Sequence, residues 1–60
     1  MSSKDIIKLL KKNGFKLDRI KGSHHIFIHP QSRNRAVVPH PKKDLPIGTA
    51  RSILRQAGIN

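Results

Sequence analysis

Residues 22–30 read Gly22-Ser23-His24-His25-Ile26-Phe27-Ile28-His29-Pro30. The run holds three of the chain's four histidines, and its secondary structure decides both the fold and the chemistry. On a helix, His25 and His29 would stand one turn apart and could share a metal ion. On a strand the same four steps span about 13 Å, and they cannot. β-branched and aromatic residues fill the centre, a Gly-Ser turn signal precedes it and a proline follows, so the run reads as a strand from His24 to His29. Alternation puts His24, Ile26 and Ile28 on one face and His25, Phe27 and His29 on the other. Both faces carry apolar residues, which leaves open which one is buried.

The flanks supply the rest of a sheet and two helices. Phe15 to Ile20 forms a first strand by composition and by the Phe15, Leu17, Arg19 alternation, and Gly22-Ser23 turns it into the second. After Pro30, Gln31 to Asn34 make a polar turn, and Arg35 to Val38 form a third short strand stopped by Pro39. Ahead of the strands, Ser2 caps a helix whose third residue is Asp5, and Ile6, Ile7, Leu9 and Leu10 recur at helical spacing until Asn13-Gly14 stops it. Lys4, Lys8 and Lys11 line the opposite face as a basic stripe. Asp44 and Pro46 mark the start of a second helix with an apolar stripe of Ile47, Ala50, Ile53, Leu54 and Ala57, ended by Gly58. The order α-β-β-β-α predicts an α+β fold, a three-stranded antiparallel sheet with both helices on one face and the other face open. Without an internal repeat or linker, residues 1–60 read as one domain. A chain this short buries only about 60% of its unfolded surface, so the core is small.

Charge and composition narrow the function. Thirteen Lys and Arg against three Asp and no Glu give a formal net charge of +10. That imbalance favours a polyanionic partner, and nucleic acid above all. Asp5, Asp18 and Asp44 fall in three separate segments, which argues against a carboxylate-held two-metal nuclease centre and against the paired carboxylates of a glycosidase. The absence of cysteine removes disulfides, thiolate chemistry and cysteine-ligated zinc. No apolar run approaches a membrane span, so the expectation is a soluble cytoplasmic protein with no membrane partner.

The histidines then have two chemical readings. A zinc site would have to recruit His40 from a loop and find a fourth ligand, since His24 and His29 point to opposite faces; the expectation is no metal and no cofactor. A ribonuclease that works without metal needs an acceptor for the 2'-hydroxyl proton, a donor for the leaving 5'-oxygen and cations around the phosphorane. Free imidazole titrates at about pH 6.5, so a neutral base is its main form at pH 7. His24 stands at the mouth of a hairpin, where Gly22 permits close approach and the Ser23 hydroxyl can hold a phosphate oxygen. A non-catalytic RNA-binding module accounts for the same charge, whereas helices separated by a sheet make a poor helix-turn-helix for DNA.

The stretches "GFKLDRIKGSHHIFIHP" and "VVPHPKKDLPIGTARSILRQAGI" together resemble the HicA family of bacterial and archaeal toxins. The likeness runs from the first helix to Gly58, through Gly-Ser-His after the first strand, His-Pro after the second, and Pro-His-Pro before Leu-Pro-x-Gly-Thr. It implies a small mRNA-cleaving ribonuclease, folded like a double-stranded-RNA-binding domain and needing no metal. It also implies neutralisation by a HicB antitoxin in a hetero-oligomer. The family's catalytic histidine falls on His24, with the adjacent His25 as the alternative. Gly22, Ser23, His25, Lys21 and His40 are its supporting residues, and the general acid is left among Lys21, His25 and His40. In double-stranded-RNA-binding domains the loop after the first strand and the start of the last helix meet the backbone. By that likeness Lys42 and Lys43, aided by the N-terminus of the second helix, bind RNA together with Arg19 and Lys21.

Overall fold

The computed structural model describes residues 1–59; residue 60, the last of the domain expected from the sequence, lies outside them. The elements follow the expected order: α1 (Ser3–Lys12), β1 (Lys16–Lys21), β2 (His24–Ile28), β3 (Arg35–Pro39) and α2 (Ile47–Gln56). The strands form one antiparallel sheet in the order β1-β2-β3. This is the α+β architecture predicted from the periodicities.

Local chemistry sets the ends of α1. The Ser2 hydroxyl accepts from the Asp5 amide at 3.1 Å while the Asp5 carboxylate accepts from the Ser2 amide at 3.1 Å, a reciprocal capping box. At the other end Gly14 turns left-handed with φ 89°. A side chain there is excluded twice, because a Cβ on Gly14 would also lie 2.9 Å from His29 Nε2. The two-residue turn between β1 and β2 uses Gly22 at φ 62°, a first central residue of the kind that type II′ hairpins require.

Burial answers what alternation left open. Phe27 is 1% exposed and belongs to the core with Ile6, Leu10, Phe15, Ala36, Val38, Leu45, the α2 residues Ala50 and Ile53, and Ala57 just past the end of α2. The His25, Phe27 face is therefore the one under the helices. Ile26, on the other face, is also buried but stands apart from that core cluster. The helices pack chiefly on β3, which leaves every residue of β1 exposed.

Three expectations change. Phe15 precedes β1 and is buried, with its amide donating to the Leu10 carbonyl at 2.9 Å. A bulge between Leu17 and Arg19 then breaks the Phe15, Leu17, Arg19 alternation, since Leu17 pairs with Phe27 and Arg19 with its neighbour Ile26. One extra residue flips the side-chain phase, so Arg19 and Lys21 join His24 on the open face. At α2, Asp44 provides no cap: the capping position is Pro46, without a side-chain hydrogen bond, and Ile47 is 70% exposed rather than part of the buried stripe.

Candidate active site

His24 opens β2 as an exposed residue, paired across the hairpin with Lys21 and on its other side with Pro39. It lines a groove of about 400 Å³ between the end of β3 and α2. Val37, Pro39 and Ile53 give the groove apolar walls, and Thr49, Ser52 and Gln56 give it a polar rim. The three polar residues stand at i, i+3 and i+7, one face of α2. Among the described residues no element fills the space, so His24 is accessible to a ligand lying there.

The other three histidines are engaged elsewhere. His29 leaves the end of β2, and its Nδ1 accepts from the amides of Gln31 and Ser32, each at 3.2 Å. Two amide donors on Nδ1 place the ring hydrogen on Nε2. The ring also packs edge-on against Phe15 at 5.3 Å, which makes it a brace for the β2–β3 turn. His25 points under the helices, half-buried, with its ring edge-on to His40 at 4.7 Å. Among the described residues its buried Nδ1 finds no hydrogen-bond partner.

His40 connects these parts. Its amide donates to the Ser23 carbonyl at 2.8 Å, tying the segment after β3 to the turn that carries His24. Its Nδ1 lies 2.7 Å from Ser3 Oγ. Ser3, 1% exposed, is the hub: its amide donates to the Lys42 carbonyl at 2.9 Å, and its hydroxyl accepts from the Lys42 amide at 2.9 Å. The single hydroxyl hydrogen points either to His40 Nδ1 or to the Lys42 carbonyl at 3.1 Å, and that choice sets the His40 tautomer. Four contacts thus pin the start of α1 to residues 40–42. Nothing local in the sequence marks Ser3, whose partners lie 37 and 39 residues away.

Lys42 and Lys43 line a second recess, of about 480 Å³, with Ser2, Ser3, Lys4 and His40. There they adjoin the start of α1. Arg19 makes an exposed contact with its neighbour, Nε to Asp18 Oδ2 at 3.3 Å, of the kind worth little in water. The structure therefore brings Gly22, Ser23, Lys21 and His24 together at one hairpin, turns His25 and His40 inward beside them, and sets Lys42 and Lys43 one step beyond His40. Sequence reasoning missed Thr49, Ser52 and Gln56, although their helical spacing beside the apolar stripe was available.

Among the described residues no three His, Asp or Glu side chains gather as metal ligands, and no helix is long and apolar enough to cross a membrane. The donor set in the groove, one imidazole with hydroxyls and an amide, suits hydrogen bonding and proton transfer to a polar ligand. No curated protein sequence matched the chain. The family model described as the HicA toxin of bacterial toxin–antitoxin systems matches residues 3–59, which takes in the hairpin, the groove beside α2 and both helices. The chain belongs to the HicA toxin family, the toxin half of a bacterial toxin–antitoxin pair.

Proposed function

We propose that this toxin is a metal-independent endoribonuclease that cleaves mRNA at His24 and so blocks translation in the cytoplasm. The observation that carries this reading is the contrast among the histidines: His24 is exposed and lines the groove beside α2, while His25, His29 and His40 are only partly exposed and their rings are engaged by other residues of the fold. His24 takes the proton from a 2'-hydroxyl. The freed oxygen attacks the adjacent phosphorus, the bond to the 5'-oxygen breaks, and that oxygen leaves as a hydroxyl by taking a proton from a general acid among Lys21, His25 and His40. The products are a 2',3'-cyclic phosphate and a 5'-hydroxyl. Lys21, opposite His24 in the hairpin register and on its face, supplies positive charge to the phosphorane. Gly22 and Ser23 let the strand approach the turn, and Lys42 and Lys43 hold a neighbouring phosphate.

A HicB-like antitoxin with acidic groups complements a chain of charge +10, and covering the hairpin face silences it. The experiment is cleavage of end-labelled RNA by the purified chain in excess chelator, beside His24→Ala and His25→Ala. Loss of cleavage in His24→Ala with His25→Ala still active supports the assignment. A 5'-phosphate product sinks the mechanism. Intact RNA in every lane with tight binding retained gives the non-catalytic RNA-binding module instead.

A further inference from the structure

The groove beside α2 is electrically unlike the rest of this surface. The chain carries thirteen lysines and arginines in 60 residues, yet none of them lines the groove. The recess beside α1, by contrast, is lined by Lys4, Lys42 and Lys43. A phosphate therefore has a better home elsewhere. A purely apolar ligand fits poorly too, because seating it would strip water from Thr49, Ser52 and Gln56 without replacing their hydrogen bonds. What suits apolar walls with a hydrogen-bonding rim is a flat group with apolar faces and polar edges, which describes a nucleobase.

We propose that the groove is a nucleobase subsite that gives the toxin its sequence preference. A base of single-stranded RNA, one nucleotide from the bond addressed by His24, seats between the β3 end (Val37 and Pro39) and Ile53 of α2. Its edge meets the rim of Thr49, Ser52 and Gln56. The strand must be single there, since a paired base has its edge already occupied. Gln56 offers both an amide donor and a carbonyl acceptor and can bond two edge atoms of one base at once. The groove's 400 Å³ falls within the roughly 300–1,000 Å³ usual for small-ligand sites. The placement of the base beside the cleaved bond rests on the ribonuclease reading; the recognition of a base does not.

The test uses short 2'-O-methyl RNA oligonucleotides, which lack the nucleophile and survive, in four versions that differ at a single base. Nuclear magnetic resonance of the wild-type chain follows the Gln56 side-chain amide and the backbone amides of residues 49 and 52. These signals should move and saturate, with affinities about tenfold apart between the best and worst base. In Gln56→Ala that spread should fall to about twofold. An abasic nucleotide at the same position should silence the groove while Lys42 and Lys43 still respond. Silent groove signals beside shifting Lys42 and Lys43 would overturn the subsite, as would a base preference that survives in both Gln56→Ala and Ser52→Ala. So would a groove that answers an acidic peptide and no RNA. Binding in the groove by a chain that cuts no unmodified RNA leaves the subsite standing and removes the nuclease. Cutting with a silent groove does the reverse.

Discussion

The recess beside α1 and the groove beside α2 have similar volumes, about 480 and 400 Å³, and adjacent residues divide them: Pro39 lines the groove and His40 the recess. Their chemistries diverge across that one peptide bond. The recess is built from lysines over a buried serine hub, so its shape depends on hydrogen bonds made far from any ligand. The groove is a neutral gap between two elements that the core already holds apart, and its polar side chains are exposed and carry no structural duty. The difference teaches that one side of this fold is maintained by polar contacts and the other by packing. Substitutions that are equivalent on paper should therefore behave differently on the two sides.

The largest effect should come from the groove. His24→Ala should lower RNA cleavage by about 10²–10⁴-fold, the usual worth of a positioned acid or base, while the melting temperature stays within a degree or two of the parent. A comparable loss in His25→Ala without loss of fold would move the base to the inward side and break the comparison. Next in size is Ser3→Ala. It deprives the Lys42 amide and His40 Nδ1 of their shared partner and should cost about 1–3 kcal/mol, which is roughly 4–8 °C of melting temperature per kcal/mol in a domain this small. Ser52→Ala, on the exposed rim of the groove, should change stability by about 0.5 kcal/mol or less. Equal thermal shifts in the two serine variants would show that the hub bears no load.

Much of this was legible in the residues, and the parts that were not share a cause. Hairpin, caps and helices follow from short-range signals, which is why Ser2, Asp5, Gly14 and Gly22 do in the structure what their spacing predicts. The bulge at β1 was hidden because its signature is a register with β2, and Leu17-Asp18-Arg19 alternates as well as any ordinary strand. Its consequence is functional, since it turns Arg19 and Lys21 to the face of His24. Ser3 was hidden for the same reason at greater range. Leu45, in the segment before α2, is 3% exposed with its amide donating to the Met1 carbonyl at 2.7 Å, whereas Ile47, expected in the apolar stripe, is 70% exposed. Of the histidines, the strand assignment separated the faces but could not say which one the helices would cover.

Charge gives a finer cut between the two sides. If Lys43 holds a phosphate, Lys43→Ala should reduce the slope of log affinity against log salt by about 0.7, the value for one single-strand phosphate contact, and weaken binding to every sequence alike. Gln56→Ala should leave that slope unchanged while altering which sequences bind best. A salt slope that falls with Gln56 would mean that the backbone, and not a base, runs through the groove.

The smallest effect belongs to the capping box at the start of α1 and depends on pH. The Ser2 amide, followed by the Ser2 hydroxyl, stabilises the ionised Asp5 carboxyl and holds its pKa below the ordinary value of 3.8. A carboxyl with a lowered folded-state pKa adds stability that is fully present above the unfolded value and is lost as pH falls through the folded one. The capping box should thus contribute constantly from neutral pH down to about 4–5 and fade below that. Asp5→Asn, which keeps the shape and removes the titration, is the matched control. Denaturation of the pair across that range should show a constant gap at pH 5–7 that shrinks at lower pH. The amides of residues 42 and 43 should sense the loosening through Ser3, and those of residues 49 and 52 should not. A gap that widens in acid would reverse the sign and detach Asp5 from the cap; matching shifts at the groove would show that the two sides are mechanically one.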